Sequence, residues 1–277
     1  MAPSEIGDYD AMLKELNAPK VKVFPVLENK VAIVTGAAQG MGKATALLFA
    51  ASGASVVLAD INEKGVQDVA IEIESSGGRA HVVKVDISVS EEVQNLVGET
   101  VAKFGRLDCA VNNAALTPDG APLTDFDEAY FDRLVSVNLK GTALCNKYEI
   151  SQMRKQGTGG SIVNISSVVA YHAHANMVAY TAAKHGIVGL TKQAASENGD
   201  ANIRVNTVAP GAILTEMSAK ALTTMGTDHA EYARQVSMLG RWAAPDEVAQ
   251  ASLWLCSDAS SYVTATTLPV DAGSHTK

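Results

Sequence analysis

Tyr180 and Lys184 are the pair in this chain best spaced to do chemistry together. They open the Ala-rich run Tyr180-Thr181-Ala182-Ala183-Lys184, and residues four apart on a helix project from the same face. A phenol with a reference pKa near 10 is a poor base at neutral pH, and an adjacent ammonium favours the phenolate. Such a tyrosine exchanges a proton with an alcohol or a carbonyl oxygen. Thirteen residues earlier, the apolar run Ile162 to Ile165 ends in Ser166-Ser167. A hydroxyl delivered there by a strand end is placed to hydrogen-bond the same substrate oxygen.

The elements that must hold these residues are regular from Lys30 onward. Aliphatic runs at Val31 to Thr35, Ser55 to Ala59, His81 to Asp86, Leu107 to Asn112, Ser161 to Ser166, Ile203 to Ala209 and Thr266 to Val270 read as seven strands. Segments near 41–52, 63–76, 90–104, 125–156, 179–198 and 245–257 read as helices. Strand and helix in alternation give an α/β fold, a doubly wound parallel sheet covered on both faces. No Pro/Ser-rich linker divides the 277 residues, so residues 30–277 are read as one domain behind an N-terminal extension, 1–29.

The first strand runs into Thr35-Gly36-Ala37-Ala38-Gln39-Gly40-Met41-Gly42, and a helical run follows. Glycines there let a pyrophosphate approach backbone N–H groups, and a helix N-terminus favours its charge. Because the trio sits between the first strand and first helix, it predicts dinucleotide binding at Gly36, Gln39, Gly40, Met41 and Gly42. The second strand ends at Asp60-Ile61, about 20 residues on, where a carboxylate accepts from the adenosine ribose and repels a 2′-phosphate. With no Arg or Lys in the glycine turn before Gly42 or directly after Asp60, NAD is favoured and NADP is the alternative.

Composition narrows the partners. Nearly half the residues are apolar (47%), 19% are charged and mean hydropathy is +0.08, so core material is ample and disorder is not indicated. The apolar runs fall short of the roughly 20 residues a membrane span needs. A net charge of −8 and pI near 5.3 argue against nucleic acid and anionic membranes. Cys109, Cys145 and Cys256 lack metal-ligand spacing and are read as reduced thiols in a cytoplasmic protein, and His172-x-His174 has no accompanying His-Glu-x-x-His or carboxylate cluster. No metal is predicted. The N-terminus has Glu5, Asp8 and Asp10 and no continuous apolar core, unlike a signal peptide. Ser4 is placed to cap a short packing helix with Ile6, Tyr9, Met12, Leu13 and Leu16 at helical spacing, ended by Pro19 and Pro25.

Together these motifs, in this order from Lys30 to Gly273, resemble the short-chain dehydrogenase/reductase superfamily in its Tyr-x-x-x-Lys form. The resemblance makes the Thr35 to Gly42 turn its coenzyme motif, and Asp86-Ile87 the pair that contacts adenine. Asn112-Asn113-Ala114-Ala115 matches the family's Asn-Asn-Ala-Gly, with Asn113 and Ala114 flanking the coenzyme and alanine replacing the last glycine. Asn138 matches the helix-kink asparagine that holds a relay water. Ser166 and Ser167 compete for the catalytic serine, and Ser167 is chosen because the family places that residue 13 before the tyrosine. Pro210-Gly211-Ala212-Ile213-Leu214-Thr215 resembles the segment whose Pro210, Gly211, Ile213 and Thr215 meet the nicotinamide.

The implied catalytic set is Asn138, Ser167, Tyr180 and Lys184. In it Tyr180 is the general acid/base, Lys184 binds ribose and lowers the tyrosine pKa, and Ser167 orients the oxygen. The implied reaction interconverts a secondary alcohol and a ketone with NAD(H). Alternatives are an NADPH-dependent carbonyl reductase and a dinucleotide-sensing protein without turnover, although relatives of the latter kind usually lose the tyrosine or lysine. The segment from Ala212 to Leu239, rich in Met and Leu, is read as a substrate lid, with Ile213, Leu214, Met217, Leu222, Met225, Tyr232, Met238 and Leu239. Tyr171, His172, His174 and Met217 are candidate substrate contacts. These features suggest a mid-sized hydrophobic alcohol or ketone of terpenoid, steroid or polyketide type, cyclic ones included. By the same resemblance, segment 125–156 and the Tyr180 helix pair subunits into a homotetramer, with a dimer second.

Overall fold

Strand β1, Val31–Thr35, is buried at all five residues, as expected of a β-branched run at the centre of a parallel sheet. A computed structural model describes residues 12, 13, 16, 24–219 and 228–277. Around β1 it sets β2 (Ser55–Asp60), β3 (Arg79–Lys84), β4 (Cys109–Asn112), β5 (Gly160–Ile165), β6 (Ile203–Pro210) and β7 (Thr267–Val270). Every pairing is parallel, and the strand order is β3-β2-β1-β4-β5-β6-β7. The chain therefore winds outward twice from the centre, leaving a crevice beyond the carboxyl ends of β1 and β4. In doubly wound sheets that is where ligands bind.

Helices α1 (Gly40–Ala51), α2 (Glu63–Ser75) and α8 (Pro245–Cys256) cover one face. The other is covered by α3 (Ser90–Phe104), α5 (Thr142–Gln156) and α6 (Val178–Asn198). Local chemistry sets the boundaries. The Asn62 side chain accepts from Gly65 N at the start of α2, and α3 and α5 end on Gly105 and Gly157 in the left-handed region. Pro245 occupies the first turn of α8, where its missing N–H costs nothing.

Several elements differ from the sequence reading, β3 among them, which runs Arg79–Lys84 rather than His81 to Asp86. The single helix expected over 125–156 is α4 (Glu128–Val135), a π-helical segment Ser136–Gly141 and α5. Asp127 caps it by accepting from Ala129 N and Tyr130 N. The lid contains a helix not foreseen, α7 (His229–Val236). Finally, β4 begins at Cys109 rather than Leu107.

Within the lid, Leu222 and Met225 lie outside the described residues, as do Ser4, Ile6, Tyr9 and Pro19 of the extension. Met12, Leu13 and Leu16 pack against Leu214, Ala233 and Trp242, so this part of the extension rests on the lid. No described helix is long and apolar enough to cross a membrane. Among the described residues no three His, Cys, Asp or Glu side chains cluster as metal ligands, and the three cysteines are free and buried.

Candidate active site

Helix α6 starts where a carboxylate from far away in sequence caps it. Asp119, in the segment after β4, accepts from Ala179 N (2.9 Å) and Tyr180 N (3.0 Å). This satisfies first-turn donors that have no intrahelical partner and places negative charge at the positive end of the helix. A backbone bridge between Ala121 and Met177 holds the same segment down. Tyr180 therefore has a fixed position at the floor of the crevice. Nothing in the triplet Pro118-Asp119-Gly120 beyond its turn character linked it to a helix 60 residues away.

One turn on, Lys184 is buried. Its ammonium donates to Ile165 O at the end of β5 (2.9 Å) and stands 5.3 Å from the Tyr180 ring centroid. Burial brings the lysine down to about 8. The tyrosine does not behave as the spacing suggested. Burial pushes its phenol up to about 12, and the opposing influence is a hydrogen bond from Ser167 rather than the Lys184 charge. Desolvation disfavours both charged forms here, so at neutral pH the phenol keeps its proton while the lysine is still largely charged.

The two serines separate by partner. Ser166 Oγ is buried and donates to Lys184 O (2.8 Å), tying β5 to α6. Ser167 Oγ accepts from Val169 N, and this serine is the group that draws the Tyr180 phenol down against burial. Of the two, Ser166 lines the crevice and Ser167 does not.

Asn138 lies in the π-helical segment, a local widening often found at functional sites. Its Oδ1 accepts from Leu116 N (2.7 Å) and its Nδ2 donates to Leu116 O (3.3 Å). The side chain thus staples the segment after β4, and the residue is buried behind the crevice wall.

The crevice has a volume of about 530 Å³. Of the residues expected at the coenzyme, Gly36, Gln39, Gly40, Met41, Asp60, Ile61, Asp86, Ile87, Asn113, Ala114, Thr215, Tyr180 and Lys184 line it, as does Met217 from the substrate set. Gly42, Pro210, Gly211 and Ile213 do not. Gly42 packs beneath the turn, where an added Cβ would collide with Gly36 O and lie 2.6 Å from Asn113 Nδ2. Pro210 ends β6 inside the sheet, and Gly211 N donates to Val270 O at the end of β7. Ile213 is buried in the core.

Tyr171, His172 and His174 also stand away from this lining. Tyr171 donates to Thr267 O and its ring lies 5.0 Å from that of His275. The two histidines face each other, Nε2 to Nε2 at 3.1 Å. Arg133 of α4 and Glu216 line the crevice without having been foreseen, since isolated charges on a helix carry no motif.

The turn fits a dinucleotide. Gly36 and Gly40 have φ of +67° and +54°, conformations that cost a side chain about 1 kcal/mol or more. A Cβ at Gly36 would lie 2.7 Å from Asn113 Nδ2. Helix α1 opens on this turn with no acidic residue in its first turn, which suits a pyrophosphate. Asp60 accepts from Ala38 N (3.1 Å) and Asn62 N (2.9 Å), which holds its carboxylate at the mouth.

The chain is similar to several known proteins. The family model described as enoyl-(acyl carrier protein) reductase matches residues 36–275. A short chain dehydrogenase/reductase of Aspergillus oryzae, astE, is 47% identical over 248 residues, covering 89% of this chain and 95% of the relative. The 2,5-dichloro-2,5-cyclohexadiene-1,4-diol dehydrogenase of Sphingobium indicum is 42% identical over 248 residues, covering 89% and 97%. The crystal structure of carveol dehydrogenase from Mycobacterium avium in complex with NAD superposes with a TM-score of 0.86 at 31% identity, covering 91% of this chain and 99% of that one.

Proposed function

The chain belongs to the short-chain dehydrogenase/reductase superfamily and is an oxidoreductase of secondary alcohols and ketones; on that premise we propose that it uses NAD(H) and acts on a mid-sized hydrophobic substrate whose carbinol carbon belongs to a ring. The observation that carries the reading is Tyr180, one turn from the buried Lys184 and 5.3 Å from its ammonium, in a crevice lined by the glycine turn. Ring substrates are supported by two of the relatives, whose names specify a cyclohexadienediol and carveol.

The bound nicotinamide coenzyme supplies or accepts the hydride, and the protein supplies position and proton transfer. Gly36, Gln39 and Gly40 would hold the pyrophosphate, Asp60 the adenosine ribose, and Asp86 with Ile87 the adenine side. Lys184 would hold the nicotinamide ribose, and Thr215 its carboxamide. Tyr180, protonated at neutral pH, gives its proton to the carbonyl oxygen of a ketone; in the alcohol direction its phenolate form takes the hydroxyl proton. Ser167 donates to the same oxygen and orients it. Asn138 holds the wall through Leu116.

Preference for NAD is supported by the Asp60 carboxylate at the end of β2, where a 2′-phosphate would meet negative charge. The cations in the lining, Lys184 and Arg133, come from other elements. The reading also includes a cytoplasmic homotetramer paired through α4, α5 and α6.

The test mixes the protein with NAD or NADP and a panel of cyclic and open-chain secondary alcohols, following NADH or NADPH absorbance. NAD and ring alcohols are expected to give the faster rates. Tyr180→Phe is expected to abolish turnover while NAD still binds; unchanged turnover in that variant overturns the assignment.

A further inference from the structure

Glu149 takes no part in the chemistry above, yet it is buried with 1% exposure on the sheet-facing side of α5. Such burial of a carboxyl calls for a partner. Its Oε2 accepts from Asn112 Nδ2 (3.0 Å), and the second hydrogen of that amide goes to Asn164 Oδ1 (3.0 Å). Two oxygens are left over: Glu149 Oε1 and Asn112 Oδ1 are both buried without a hydrogen-bond partner.

Turning the Asn112 amide over does not help. Its oxygen would then face Asn164 Oδ1, an acceptor already taking a bond from Asn146 Nδ2 (2.8 Å). The Asn164 amide is itself fixed, because its nitrogen donates to Thr191 Oγ1 (3.0 Å) and Asn146 Oδ1 (3.2 Å). The network thus dictates each amide orientation. An ionised Glu149 is acceptor-only and leaves both oxygens unpaired. One proton on Oε1 answers both.

We propose that Glu149 stands in the folded protein as a neutral carboxylic acid whose hydroxyl donates to Asn112 Oδ1, closing a two-bond ring that fixes the end of β4 beside the coenzyme turn. Burial acts in the same direction, pushing this carboxyl up to about 7 against the pull of the Asn112 N–H. The groups around it are nearly all neutral. On α5 the titratable neighbour is Cys145, a buried thiol one turn earlier that Glu149 pushes further up. From β4 and β5 come the amides Asn112 and Asn164. From α6 comes Thr191, while of the two lysines of that helix Lys184 is engaged at Ile165 O and Lys192 is exposed.

Glu149 is a positioning residue, acting through its neighbour. Asn113 follows Asn112 directly, and it donates from its backbone N to Thr35 Oγ1 (3.0 Å) and from Nδ2 to Thr35 O (3.0 Å) and Gly36 O (3.3 Å). The same network continues through Asn146 Nδ2 to Thr142 O, and Thr142 Oγ1 donates to Asn138 O. The acid therefore secures two parts of the site at once.

Glu149→Gln tests this, because a carboxamide offers the same acceptor and donor and cannot ionise. Wild type is expected to show the infrared C=O stretch of a protonated carboxyl at about pH 6, where ordinary carboxyls are ionised, and Glu149→Gln to lack it. Sign follows from linkage: a raised carboxyl pKa means the folded state holds a proton the unfolded chain has released. Wild-type stability therefore falls as pH climbs from the ordinary carboxylate range through about 7. Glu149→Gln is expected to lose that slope, so its melting temperature gains on wild type over this interval.

Glu149→Ala, which leaves the Asn112 amide with only its bond to Asn164, is expected to raise the KM for NAD about tenfold or more, with Glu149→Gln close to wild type. This last arm rests on the proposed coenzyme, whereas the infrared and melting arms need no turnover and stand if that reading fails. Absence of the band, a melting difference flat in pH, or Glu149→Gln as damaging as Glu149→Ala would each overturn the inference. Should Glu149→Gln not fold, the wild-type spectrum at about pH 6 decides alone.

Discussion

The coenzyme half and the substrate half of this site are built by different means. At the coenzyme end the wall is mostly backbone: the Gly36 to Gly42 turn and the ends of β2, β3 and β4, each reached within a few residues of a strand. The proposed substrate end, outside the crevice lining, is assembled from side chains brought from afar. Tyr171 meets His275, Tyr232 stacks on Trp242 with ring centroids 5.5 Å apart, and the described N-terminal residues lie on the Leu214 cluster. Excluded volume at Cα dictates the first, so few residue types serve. The second needs only apolar volume of about the right shape, which many combinations supply.

The sharpest way to break this contrast is to add one carbon to the turn. In Gly42→Ala the Cβ would meet Gly36 O, which is backbone, and Asn113 Nδ2, which is held by its bonds to Thr35 O and Gly36 O. The turn must open, and NAD binding measured by fluorescence titration is expected to fall more than a hundredfold with every substrate equally affected. Gly40→Ala is the graded companion. There a Cβ finds Thr215 Cγ2 at 3.4 Å, and the left-handed backbone is the main penalty, about tenfold in affinity. Normal binding in Gly42→Ala would mean that the turn is not built by close backbone approach.

A smaller effect is expected where the two halves join. Asp119 holds the first turn of α6, and Asp119→Ala frees two N–H groups, a loss of about 1 kcal/mol, or some fivefold to tenfold, for a helix cap. That loss should appear in kcat, through a less fixed Tyr180, with the KM for NAD little changed. Asp119→Asn retains acceptor geometry on one side and should recover part of it. If kcat is untouched while NAD binding weakens, the segment after β4 serves the coenzyme half instead.

How much of this was legible beforehand divides along the same line. Seven strands, their parallel arrangement and the glycine turn follow from patterns with short-range causes: buried aliphatic runs, a helix after a Gly-rich turn, and an acid at the end of the second strand. Tyr180 and Lys184 were legible as neighbours, but the sign of the effect on the phenol was not, because desolvation depends on what covers the pair. Asp119 was invisible because its partners lie 60 residues on. Likewise Glu149 looks in sequence like one more helix carboxylate. Only the facing amides of β4 and β5 reveal that it is buried. The π-helical break at Ser136–Gly141 has no sequence mark beyond the Asn138 pattern itself.

The least disruptive change falls on the histidine pair. With Nε2 facing Nε2 at 3.1 Å, one ring must donate and the other accept, so the contact requires that at most one of the two be protonated. His174 is pushed down first by burial and then by His172, which keeps the contact intact at neutral pH and dissolves it on acidification. His174→Phe preserves the stacked volume and removes the bond. On the proposal that the pair, although outside the crevice lining, meets the far end of the substrate, this variant is expected to change KM for ring alcohols bearing a second oxygen by about twofold to fivefold, the worth of one hydrogen bond. Alcohols without that oxygen, and NAD, should be unaffected. In wild type the KM for the doubly oxygenated substrates should rise on acidification, and His174→Phe should flatten that rise. A change in NAD affinity as large as the change in substrate KM would show that this loop belongs to the coenzyme half, and the division of the site into a backbone-built end and a side-chain-built end would fail.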